Sequence, residues 1–130
     1  MIMNLSAIHQ LEKLREKFEG DILLDELSKI IYATDASVYR EKPQEVVLPK
    51  TKEDIKLIVK FASDNNIPII PRAAGTSLAG QVVGNGIVVD ISKYMNKILE
   101  LNTEEKWVKV QPGVVLDELN IFLKKYGLFF

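Results

Sequence analysis

Apolar positions recur at helical spacing in some stretches of the chain and fall in short unbroken runs in others, which predicts a mixed architecture. Ile8, Leu11, Leu14 and Phe18 recur every three or four residues, with Gln10, Glu12, Lys13 and Glu16 between them. This spacing predicts an amphipathic helix over about residues 5–18, stopped at Gly20. Leu24, Leu27, Ile30 and Ile31 predict a second, shorter helix, and residues 33–44 have no period and read as a connection. Glu45 to Leu48, ended by Pro49, predicts a buried strand. Thr51, with the carboxylate of Asp54 three residues on, is a helix-start signature. Ile55, Ile58, Val59 and Ala62 form the inward stripe of that helix, widened by Leu57 and Phe61, and Asn65 and Asn66 can end it.

Ile67 to Pro71 predicts the next strand, so strand, helix and strand form a βαβ unit with parallel pairing and a right-handed crossover. Ile87 to Ile91 predicts a third strand. Ile98 to Leu101 and Trp107 to Val110 predict two more, turned by residues 102–105, and Trp107 is expected to pack in the core. Leu116, Leu119, Phe122, Leu123 and Tyr126 predict a final helix capped by Gly127, with Leu128 to Phe130 starting another strand. The expected fold is α+β: a βαβ unit with a small mixed or parallel sheet flanked by helices, residues 1–31 being an N-terminal helical segment.

Composition narrows the function classes. The 130 residues suit one domain, and 47% apolar with 27% charged residues is ordinary for a globular protein. A net charge of -1 offers no field to recruit nucleic acid or anionic lipid. The chain has no cysteine, which removes disulfides, thiolate metal sites and cysteine nucleophiles. No targeting segment and no membrane span can be read, so a cytoplasmic location is the expectation. His9 reads as a helix-surface residue, and Asp21, Asp25 and Glu26 as a solvated acidic face without coordination spacing.

The informative stretch is Pro71 to Gln81, PRAAGTSLAGQ, directly after a strand of the α/β unit. Ligands of such sheets sit beyond the C-terminal ends of strands. Small residues let a diphosphate approach the backbone, whose N–H groups can form an anion nest, and the hydroxyls of Thr76 and Ser77 add donors. Composition alone leaves this reading open beside that of a plain glycine loop.

Three known motifs are near misses. Gly75 and Gly80 have the spacing of a triphosphate-binding loop, but Gln81-Val82 stands where Lys-Ser/Thr is required. Gly84-Asn-Gly86 precedes a strand rather than opening a helix, unlike a dinucleotide fingerprint. Gly75 to Ala79 approximates a nucleophile elbow, yet the only histidine, His9, lies far upstream.

PRAAGTSLAGQ, together with YATDASVYR (32–40), EVVLPKTKEDI (45–55) and VQPGVVLDELN (110–120), resembles the FAD-linked oxidase family. This is the vanillyl-alcohol oxidase and p-cresol methylhydroxylase type of flavin fold, and within it the D-lactate dehydrogenase and glycolate oxidase flavin-subunit group. The resemblance runs from about Tyr32 to Phe130. It implies that Ala73, Ala74, Gly75, Thr76 and Ser77 bind the pyrophosphate of FAD mainly through backbone N–H groups. Pro71, Arg72, Leu78 and Gln81 match the flanks of that loop, and Pro112 and Gly113 match a second cofactor-facing turn. Ala73 and Ala74 replace glycines of the commoner form, which would constrain any positive φ there. Threonine at position 76 replaces a histidine that in several relatives bonds the flavin ring, so the resemblance implies non-covalent FAD. It further implies a parent that oxidises a 2-hydroxy acid such as D-lactate or glycolate. Residues 32–130 would be only the first subdomain of the FAD-binding domain, truncated and inactive alone. Two copies of such a piece are expected to associate through the apolar surface left open. The rival class is a non-catalytic nucleotide- or anion-binding module using the same loop.

Overall fold

Two strands carry four consecutive buried residues each: β2 (Glu45–Leu48) and β4 (Ile87–Asp90). Such runs belong to strands covered on both faces, in the manner of parallel sheets. In the computed structural model, which describes residues 5–130, these two strands pair in parallel, Val46 opposite Val88. Met1–Asn4, part of the apolar start, and the Ile8 side chain of the first helical stripe lie outside the described residues. A third strand, β3 (Ile69–Arg72), runs parallel to β4 on its other side, and β1 (Asp21–Leu23) runs antiparallel to β2. The order across the sheet is β1-β2-β4-β3.

The predicted βαβ unit is therefore parallel, but its two strands do not touch, because β4 stands between them. Ile87 and Val88 have no exposed surface and take the centre of the sheet. Pro71 has no N–H to give to a second neighbour, which suits β3 to the edge. β1 is only three residues long and has no period by which the sequence could announce it.

One face of the sheet is covered by α3 (Lys52–Asp64) and α1 (Leu5–Arg15). Ile58, Phe61 and Ala62 pack there with Leu11, Phe18, Ile22, Val47, Ile87 and Val89. Val59, expected in the inward stripe, is instead half exposed, while Phe61, expected only to widen it, is buried. Thr51 caps α3 as predicted, in a reciprocal capping box with Asp54. The box is only part of the work of Asp54. Its carboxylate is buried and also accepts the N–H groups of Glu19 (2.9 Å), Gly20 (3.2 Å) and Lys50 (2.8 Å).

The other face holds Val46, Leu48 and Val88, with Leu23, Tyr32, Ile70 and Tyr94 against them. Here residues 73–86 carry the chain from β3 back to its parallel neighbour β4 with no helix. A parallel connection needs about a dozen residues and usually contains a helix. The loop that the sequence marks for chemistry is thus itself the crossover.

α2 (Glu26–Ile31) follows β1, capped by Asp25 on the Ser28 N–H, but Leu27, Ile30 and Ile31 are exposed rather than inward. β5 (Ile98–Asn102) and β6 (Trp107–Val110) form a separate antiparallel ribbon, followed by α4 (Leu116–Lys124). Because the ribbon stands apart from the main sheet, one of its faces is open. Trp107 is therefore 40% exposed instead of buried as expected, its Nε1 donating to Glu105. Leu128–Phe130 forms no strand; the Phe130 N–H donates to the side chain of Asn120. Among the described residues no helix is long and apolar enough to cross a membrane.

Candidate functional site at the C-terminal end of the parallel strands

Pro71 and Arg72 end β3, and the loop leaves the sheet at Ala73. Gly75 takes φ +69° and Gly80 φ +74°, the left-handed region that glycine occupies without cost. Ala73 and Ala74 keep negative φ, so the concern raised by their side chains does not arise. The N–H groups of Ala73, Ala74, Gly75, Thr76, Ser77 and Leu78 donate to no acceptor among the described residues. These six consecutive main-chain donors face solvent or a ligand rather than protein. Such a run is what an anion-binding loop requires.

The side chains divide their tasks. Ala73, Ala74, Thr76 and Leu78 are exposed. The Ser77 hydroxyl is engaged inside the loop: it accepts the N–H groups of Ala79 (3.4 Å) and Gln81 (3.1 Å) and bonds the Gln81 side chain. Ser77 and Gln81 thus shape the turn that follows the free donors.

Pro112 and Gly113 reach the same end of the sheet by another route. The Ile91 N–H, just past β4, donates to the Arg72 carbonyl (3.0 Å), and the turn from Ile91 to Met95 receives Gly113, whose N–H donates to the Met95 carbonyl (2.8 Å). A Cβ on Gly113 would lie 2.4 Å from the Ile91 oxygen, so no side chain fits. Gly113 is buried, and its requirement for glycine is explained by this approach alone.

Beneath the loop lies a polar cluster that the sequence does not single out. The Arg72 guanidinium donates to the carbonyls of Thr34 (2.8 Å) and Tyr32 (3.4 Å) and sits 5.1 Å from the centre of the Tyr32 ring. The Tyr32 hydroxyl donates to the buried carboxylate of Asp90 (2.6 Å), which also accepts the N–H and hydroxyl of Ser92. Burial first, then the bond to Asp90, pushes the Tyr32 phenol up to about 12 from its ordinary 10. The only signal for Tyr32 in the sequence is its place in the YATDASVYR stretch. Asp90 reads simply as the polar end of a strand. Among the described residues there is no cluster of three or more metal-binding side chains.

The Tyr32–Asp90 pair makes a pH prediction. The folded state favours the neutral phenol, so the stabilisation is complete below pH 10 and disappears as pH rises through about 12. Urea unfolding of wild type and Tyr32→Phe should differ by about 1–2 kcal/mol at neutral pH, because Asp90 loses one of its donors. The two proteins should converge between pH 10 and 12. A gap that stays constant across that range would remove Tyr32 ionisation as its cause.

The loop stands where open α/β sheets bind their ligands, beyond the C-terminal ends of the parallel strands. The family model of the FAD binding domain matches residues 43–130, and the chain belongs to that family. It is 44% identical to D-2-hydroxyglutarate dehydrogenase of Haemophilus influenzae, over all of this chain but 14% of that protein. It is 39% identical to the mitochondrial D-lactate dehydrogenase [cytochrome] of Kluyveromyces lactis, over 82% of this chain and 19% of that one. Among solved structures, p-cresol methylhydroxylase superposes with a TM-score of 0.74 at 19% identity, over 97% of this chain and 26% of its own. The fold is thus that of vanillyl-alcohol-oxidase-type FAD-binding domains, and the chain spans a seventh to a quarter of these proteins.

Proposed function

We propose that this chain is the opening part of the FAD-binding domain of a longer flavin-dependent dehydrogenase, and that Ala73 to Ser77 hold the pyrophosphate of FAD. The observation that carries this reading is the run of unpartnered N–H groups from Ala73 to Leu78 at the C-terminal end of β3. Gly75 supplies the turn, Pro71 and Arg72 anchor its start, and Leu78 and Gln81 close it. Pro112 and Gly113 set the neighbouring turn against the same sheet end. The loop holds FAD without a covalent bond, since Thr76 offers no ring nitrogen there and this stretch has no cysteine.

When bound, FAD supplies the hydride acceptor for oxidation of the α-carbon of a 2-hydroxy acid such as D-lactate or glycolate. The substrate class follows the activities for which the relatives are named. No residue of this chain is assigned a catalytic role. Residues 32–130 form the partial FAD-binding domain, and residues 1–31 brace it. The exposed Trp107, Ile121, Phe129 and Phe130 are surface that the rest of the longer protein covers.

The test is an NMR titration of the isotopically labelled chain with FAD, ADP and riboflavin. FAD and ADP should shift the amides of residues 73–78 reversibly, and riboflavin should leave them in place. Affinity should be weak, because much of the cofactor's buried contact is missing and each ~1.4 kcal/mol lost weakens binding about tenfold. Shifts that avoid 73–78 would move the pyrophosphate elsewhere.

A further inference from the structure

The segment from Tyr32 to Tyr39 meets the loop at several separate points. The Ala36 N–H donates to the Gly75 carbonyl (3.1 Å), and Arg72 reaches the Thr34 and Tyr32 carbonyls. A Cβ on Gly80 would lie 2.7 Å from the Tyr39 ring, so that glycine rests directly on it. The segment is itself braced. The Asp35 carboxylate accepts the N–H of Ser37 (2.8 Å) as well as its hydroxyl, and the Tyr32 hydroxyl is anchored on Asp90. The Ser37 hydroxyl chiefly, and then the Ser37 N–H, hold the Asp35 carboxyl below its ordinary range.

One of these contacts controls the direction of a donor. In a planar trans peptide the C=O and the following N–H point to opposite sides. The Gly75 carbonyl is committed to the 32–39 segment, so the Thr76 N–H must face away from it. Arg72 works from below: its guanidinium atoms lie 2.5–3.0 Å from where a Gly75 Cβ would stand. Its Nη1 alone donates to both carbonyls, while the rest of the flat guanidinium reaches the Tyr32 ring and lies against Gly75, a planar contact that the compact ammonium of lysine does not reproduce.

We propose that Tyr32–Tyr39 is a strap that presets the diphosphate loop, with Arg72 as the positioning residue that locks loop to strap and the Ala36 N–H as the contact that aims the Thr76 N–H at the ligand. The proposal rests on reading residues 73–78 as the diphosphate site. Asp35 and Tyr39 then act through the loop and not on the cofactor. Arg72 serves chiefly by geometry, and its charge alone does not suffice.

The experiment uses the full 130-residue chain in three forms, wild type, Arg72→Lys and Ala36→Pro. ADP affinity is measured by amide shifts, with backbone order parameters for residues 73–78 and a thermal unfolding midpoint for each protein. Arg72→Lys keeps the charge and Ala36→Pro keeps every charge while deleting the one N–H. Both should weaken ADP binding about tenfold, the equivalent of ~1.4 kcal/mol, and lower the order parameters of the loop. Wild-type affinity in Arg72→Lys would overturn the proposal by showing that charge is enough. If Ala36→Pro does not fold, Arg72→Lys alone decides. Absence of ADP shifts at 73–78 in the wild type would instead overturn the underlying assignment of the loop, a result distinct from any difference among variants.

Discussion

Asp54→Ala is expected to lower the unfolding free energy by about 3–4 kcal/mol, a large share of the 5–15 kcal/mol typical of a domain. Its buried carboxylate is 1% exposed and gathers the N–H groups of Glu19, Gly20, Lys50 and Thr51, at 2.8–3.2 Å. Removing it leaves those donors without a partner, at about 1–3 kcal/mol for each one that water cannot reach. Two elements would loosen together, the start of α3 and the approach to β1. Gly20 cannot compensate by moving inward, since even a Cβ there would lie 2.0 Å from the Leu48 oxygen. Asp54→Asn should also destabilise, because one oxygen becomes an NH₂ group that faces N–H donors. Thr51→Ala is the control, losing only a cap at about 1 kcal/mol. Urea unfolding of the three variants checks the ordering. An Asp54→Ala protein no less stable than Thr51→Ala would show that the carboxylate is no more than a helix cap.

The second large effect concerns the loop. Gly75→Val should abolish measurable ADP and FAD binding while costing the fold only about 1–3 kcal/mol. At φ +69° a β-branched residue is strained, and its Cβ would meet the Arg72 guanidinium at 2.5 Å. The guanidinium is pinned by two carbonyls and the Tyr32 ring, so the backbone must yield instead. The free donors that follow Gly75 would then be displaced with it. The loop lies outside the main core, which explains why stability suffers less than binding. Amide-shift titration and urea unfolding of the same sample separate the two effects. Equal ligand affinity in Gly75→Val and wild type would take the loop out of the cofactor site.

Local features were legible in the sequence because local forces create them. The amphipathic stripe of α3 and its Thr51 cap depend on residues within one or two turns of each other. The runs at Glu45–Leu48 and Ile87–Asp90 announce strands buried on both faces. The small residues after β3 mark a loop that backbone must serve, and Gly75 stands in the left-handed conformation its identity permits. The resemblance carried by PRAAGTSLAGQ reached the family as well.

Only the tertiary structure decided how these pieces meet. The insertion of β4 between β2 and β3 follows from competition for the sheet centre, which no single segment records. Trp107 reads as core from its apolar neighbours but lies exposed because its ribbon leaves the main sheet. Asp54 binding Gly20, Arg72 holding Thr34 and Tyr32 anchored on Asp90 join residues 34, 38 and 58 positions apart. Chain entropy opposes such contacts, and they form only when the whole fold brings their partners together. A sequence states the local preferences of each partner, but the pairing itself arises in three dimensions.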